Sequence, residues 1–115
     1  MIYGGRFAQG ETITFLAGVT LGDVDDVTGT PAADLKAMYG GVMPRSDSTV
    51  VAVLDVTASA ATADAPAGWT ITITDEQTEA LEPGAYVLDV RCAVGSGVYI
   101  SDPLVFIIDR VVTIR

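Results

Sequence analysis

Residues 69–74 read Trp-Thr-Ile-Thr-Ile-Thr, an alternation of large apolar and polar β-branched side chains with a period of two. Only an extended strand sets residues i, i+2 and i+4 on one face, so Trp69, Ile71 and Ile73 point one way and the threonines the other. A helix would scatter the same residues around its axis. Similar runs recur along the chain. Residues 11–17 alternate Thr12 and Thr14 with Ile13 and Phe15, and residues 49–57 are richly β-branched. Residues 85–94 set Tyr86, Leu88, Val90 and Cys92 on one face against Asp89 and Arg91 on the other. Residues 103–115 supply one or two further apolar strands, with a break expected at Asp109 and Arg110. Residues 34–43 fit a strand bearing Leu35, Met38 and Tyr39 that bends at Gly40 and Gly41.

Between these runs lie turn-forming segments. Residues 22–32 are acidic with Gly and Pro as punctuation, residues 58–68 are small, and residues 95–99 suit a hairpin connection. Residues 75–81 break the β pattern and predict one or two helical turns. Asp75 is placed to cap the amides there, Glu76 and Glu79 sit near the positive helix start, and Pro83 and Gly84 end the turn. Roughly seven to eight short strands at spacings of about ten residues predict an all-β fold, an Ig-like antiparallel β-sandwich. No repeat or linker divides it, so residues 1–115 are read as a single β-sandwich domain.

Composition narrows the chemistry. The chain has one cysteine and no histidine among its 115 residues, which rules out an internal disulfide and zinc sites of the Cys/His type. It also rules out Ser/His and Cys/His nucleophile pairs. Glu76 and Glu79 fall on a surface turn, and Cys92 faces inward as a small core residue, so no catalytic residue and no cofactor is expected. Fifteen acidic residues against six basic ones give a net charge of −9. That balance disfavours nucleic-acid binding and suits a basic partner. The first ten residues lack a signal-peptide layout, and the longest apolar runs fall well short of the roughly 20 residues of a membrane helix, so no membrane partner is expected. Asp23, Asp25 and Asp26, with Asp47 or Asp102 arriving from elsewhere, are the candidate calcium ligands of an adhesion-type loop. The run lacks the glycine and the final glutamate of an EF-hand, so the expectation is a solvated loop without metal. Trp69 could stack on a sugar ring, but its phase with Ile71 and Ile73 places it in the core.

The corner Leu81-Glu-Pro-Gly84-Ala-Tyr86 carries a further expectation. Gly84 permits a tight turn, and Tyr86 stands where sandwich domains use a tyrosine hydroxyl to lock the preceding backbone. The acidic helical turn, this corner, Leu88-Asp89-Val90, a glycine hairpin and a closing strand ending in Val112-Thr113 resemble the C-terminal half of small Ig-like β-sandwich domains in tailed-bacteriophage virion proteins. The likeness covers the last 43 or so residues, and the opening run 5–18 fits the same domains. The resemblance implies location in the virion and a non-enzymatic structural role. The partners would be larger virion proteins, major capsid or tail proteins, with the chain serving as capsid decoration or cement, or as a tail or baseplate component. A homo-oligomer is expected.

Val111, Val112, Thr113 and Ile114 form a strongly β-forming end that could pair with a neighbour's sheet edge. The alternative is a glycan-binding or adhesin-like module using loop aromatics such as Tyr3, Tyr39 and Tyr99.

Overall fold

The alternation at residues 69–74 becomes a strand whose burial follows its phase. Trp69, Ile71 and Ile73 are all but inaccessible, while Thr70 and Thr72 are half-buried. The computed structural model describes residues 2–18, 30–59, 68–94 and 97–112. In chain order its strands are β1 (Ile2–Ala8), β2 (Ile13–Gly18), β3 (Thr30–Ala37), β4 (Ala52–Ser59) and β5 (Gly68–Ile73). The helix α1 (Asp75–Glu79) follows, then β6 (Gly84–Leu88), β7 (Val90–Val94), β8 (Gly97–Ile100) and β9 (Leu104–Asp109). A short 3-10 turn at Tyr39–Gly41 follows β3. No helix among the described residues is long and apolar enough to cross a membrane.

The strands run in the order β1-β9-β6-β3-β4-β5-β2, with β7 and β8 extending the β3 and β6 side. β1 and β2 are consecutive in the chain yet stand at opposite ends of this order. The sheet therefore curls until its ends meet, and Phe7 of β1 packs edge-on against Phe15 of β2 with centroids 5.7 Å apart. The result is an all-β, sandwich-like fold that nearly closes on itself. β4 makes the turn between the two faces by changing partners: residues 52–54 pair with β3 and residues 55–59 with β5.

β6 and β7 are two halves of one strand line. Lys36 pairs with Val87 and Ala33 with Val90, three steps on each strand, so the register on β3 runs unbroken past Asp89. β8 and β9 form the line opposite, interrupted at residues 101–103. β9 ends at Asp109, where the sequence expected a break. Every described pairing is antiparallel except β1 on β9.

That parallel pairing, which the sequence did not suggest, depends on two glycines. The register shifts between Tyr3 and Gly5, whose φ is +107°. At Gly4 an added Cβ would lie 2.7 Å from a methyl of Leu104 and 2.9 Å from the Phe15 ring. The close approach of β1 to the core thus requires bare backbone there. Three other expectations shift. Residues 30–32, read as the end of a loop, open β3, and β4 starts at Ala52 rather than residue 49. Thr74, not Asp75, caps α1: its hydroxyl accepts from the Gln77 amide while the Gln77 side chain accepts from the Thr74 amide, a reciprocal capping box.

Candidate functional site

The corner predicted at Leu81, Gly84 and Tyr86 forms, and it is fastened from several sides. Leu81 is buried in the core, Gly84 adopts φ +153° at the start of β6, and the Tyr86 hydroxyl donates to the Glu82 carbonyl at 2.5 Å. Burial, reinforced by the Glu82 carboxylate, holds the phenol above its ordinary pKa, which keeps it a donor. The other side of the corner is held by Thr78, a fully buried hydroxyl residue of α1. Its Oγ1 donates to the Glu11 carbonyl at 2.6 Å and accepts from the Gly10 amide at 3.1 Å. Gln9 adds a bond from its side-chain amide to the Leu81 carbonyl at 2.8 Å. The loop between β1 and β2 is thereby stitched to the turn before β6. Tyr86 is a fold-locking residue.

Beside the corner lies an open groove of about 430 Å³ bordered by Tyr39, Val51, Pro83 and Tyr86. Tyr39 is 79% exposed. Tyr3 is exposed on β1 but does not line this groove, and Tyr99 belongs to β8. Tyr3 and Tyr39, two of the aromatics proposed for a glycan site, are thus not brought together there. Trp69 is 0% exposed, so its ring offers no stacking surface.

A second surface is built by β8, β7, β3 and β4. Their inward residues, Cys92, Val90, Leu35, Ala33 and Leu54, are all buried. By the alternation of strands, Val53, Asp34, Ala32, Arg91, Ala93, Val98 and Ile100 occupy the opposite face. The registers align them across the sheet: Val53 beside Asp34, Ala32 beside Arg91, Arg91 beside Ile100, Ala93 beside Val98. Val53 is 72% exposed, Ile100 62% and Val98 49%. Asp89, exposed at the junction of β6 and β7, falls opposite Asp34 in the unbroken register, and Asp102 is exposed just beyond β8.

The docking strand expected at the chain end is described only as far as Val112. β9 stops at Asp109, whose carboxylate receives both Nε and Nη2 of Arg6 at 3.1 and 2.7 Å. That exposed pair holds the Asp109 carboxyl below the usual carboxylate range. The outer edge of β9 is occupied along its length by β1. Val111 and Val112 lie past the strand, with Val112 98% exposed, and Thr113 and Ile114 lie outside the described residues. Among the described strands β8 pairs only with β7, so its other edge is open, as are the outer edges of β1 and β2, each bonded to a single neighbour. This followed from tertiary placement and had no local signal.

Asp23, Asp25 and Asp26 also lie outside the described residues. Among those described, no three metal-ligating side chains converge. Asp47 stands 3.8 Å from Arg45 on an exposed turn, and Cys92 is fully buried. What the second surface offers is a sheet edge, exposed apolar side chains and carboxylates. Neither a protein-family model, nor a curated protein, nor a solved structure matches the chain.

Proposed function

We propose that the chain is a non-enzymatic structural protein of a tailed-phage virion that docks onto a larger capsid or tail protein through the outward face of β8, β7, β3 and β4. The observation that carries this reading is the open edge of β8, where exposed Val98 and Ile100 sit side by side on the solvent face of a sheet whose other side is the core. Apolar side chains grouped on one face mark interaction surfaces. The likeness of the corner and closing strands to virion sandwich domains supplies the kind of partner. On a symmetric particle, many copies each making a modest contact hold by avidity. Capsid decoration or cement is the first location to test, with a tail or baseplate component second.

Purified particles of the phage that encodes the chain provide the test, with heads and tails separated and their proteins quantified by mass spectrometry. The expected result is this chain in salt-washed particles, in a fixed whole-number ratio to one major structural protein. Its recovery only in the soluble fraction of the lysate would sink the proposal. The glycan-binding alternative draws on the groove beside the corner, where Tyr39 presents an exposed ring. It predicts retention of the isolated chain on host-surface polysaccharide regardless of particle incorporation.

A further inference from the structure

We infer that the open edge of β8 is a strand-acceptor slot, and that its occupant is an extended basic segment of a partner chain. The inference rests on the docking reading above and adds where the contact forms and with what chemistry.

Backbone geometry defines the slot. Ser101 donates its amide to the Val90 carbonyl at 2.9 Å. Hydrogen-bonded and non-bonded pairs alternate along an antiparallel ladder, so the Cys92–Tyr99 and Val94–Gly97 pairs are bonded inward. The amides and carbonyls of Val98 and Ile100 therefore turn toward the open edge. The slot has a definite lower end. β1 begins alongside, with the Ile2 amide on the Pro103 carbonyl at 2.9 Å, and covers the line from Leu104 onward. Among the described residues, Gly97–Ile100 is thus an uncovered continuation of an edge that is otherwise filled, and an added strand would extend the line of β1. Natural sheets guard such edges with charge, proline or a covering element. Here the two residues offering backbone groups outward, Val98 and Ile100, are apolar and exposed.

Charge selects the occupant. Asp34, Asp89 and Asp102 border the slot and its face, against Arg91 as the cation beside Ile100. Lys36 is committed elsewhere, its ammonium donating to the carbonyls of Arg45 and Ser46 at 2.9 and 2.8 Å. A second copy of this chain would bring another net charge of −9 to the same edge, which disfavours self-pairing. A strand with alternating apolar and Lys or Arg side chains would cover Val98 and Ile100 and answer the carboxylates.

The test uses the full chain and an alternating Lys-Val octapeptide, with the matching Glu-Val octapeptide as control, followed by amide NMR. The expected result is that the basic peptide shifts and protects the Val98 and Ile100 amides while the acidic one does not. Val98→Pro removes an outward amide at an edge position that tolerates proline, so the fold should persist. Its binding should weaken by about tenfold, the scale of one lost backbone bond at a strand edge. Ile100→Lys, which sets a cation on the slot, should weaken binding comparably and serves as the second variant. Shifts spread over other acidic surfaces, or undiminished binding by both variants, would overturn the inference. So would protection of the same amides by self-association without peptide. If the chain is in particles and both variants still incorporate at full stoichiometry, the slot fails while the docking reading stands. If the chain is absent from particles, the docking reading fails whatever the peptides show.

Discussion

Phe106→Ala is expected to remove about 3–5 kcal/mol of unfolding free energy, the range for truncating a buried aromatic. Phe106 is fully buried at the centre of β9, and three rings meet it. Phe15 approaches with centroids 5.5 Å apart, Phe7 edge-on at 6.1 Å, and Tyr86 stacks at 6.0 Å with 28° between planes. These rings come from β2, β1 and β6, so one side chain joins both ends of the curled sheet to its middle. Truncation forfeits the transfer energy of the ring, leaves a cavity, and unpairs three aromatic contacts. Domains of this size carry only about 5–15 kcal/mol in total, so the variant should sit at the edge of folding. Urea denaturation reads the effect directly. A loss below about 1 kcal/mol would mean that the ring cluster is not the keystone.

Trp69 supports a sharper pair of expectations. Its indole is fully buried, on a strand paired by β2 on one side and β4 on the other. Among the described residues, its Nε1 has no hydrogen-bond partner. Trp69→Ala should therefore cost about 3–5 kcal/mol, through lost burial and cavity. Trp69→Phe gives up no hydrogen bond and should cost only about 1–2 kcal/mol, for the smaller ring. Equal costs for the two variants would show that the indole N–H, not the packing, is what the site needs. The comparison is made on one denaturant series with unchanged m-values.

How much of this was legible beforehand differs from element to element. The phase of β5 could be read because threonine and isoleucine alternate without interruption, and burial followed that phase residue by residue. The corner could be read because Gly84 and Tyr86 impose local geometry, and the Tyr86 bond to Glu82 formed as expected. The cap of α1 was legible but misassigned. Thr74 followed three residues later by Gln77 is a capping-box spacing, and it outcompeted the carboxylate of Asp75.

The pairing of β1 was not legible. Ile2–Ala8 carries two glycines and no clean alternation, and a parallel partner more than a hundred residues away leaves no local trace. The open edge of β8 was not legible for the same reason. Val111–Ile114 looks like an edge strand by composition, yet which strand stays uncovered depends on where β1 begins beside Pro103 and Leu104. Even Val87 shows the limit of pattern reading. It is buried on the outward side of β6, where its partner Lys36 ties down the segment after β3.

The proposed docking sets a particle against the face and edge around β8. Amide hydrogen exchange over residues 97–101, measured on the isolated chain and on particle-bound chain, tests it most directly. Fast exchange is expected at Val98 and Ile100 in isolation, slowing by about tenfold or more when bound. The amides of β5, paired on both sides by β4 and β2, should stay slow in both. Unchanged exchange at Val98 and Ile100 in the bound chain, with new protection on another surface, would contradict it.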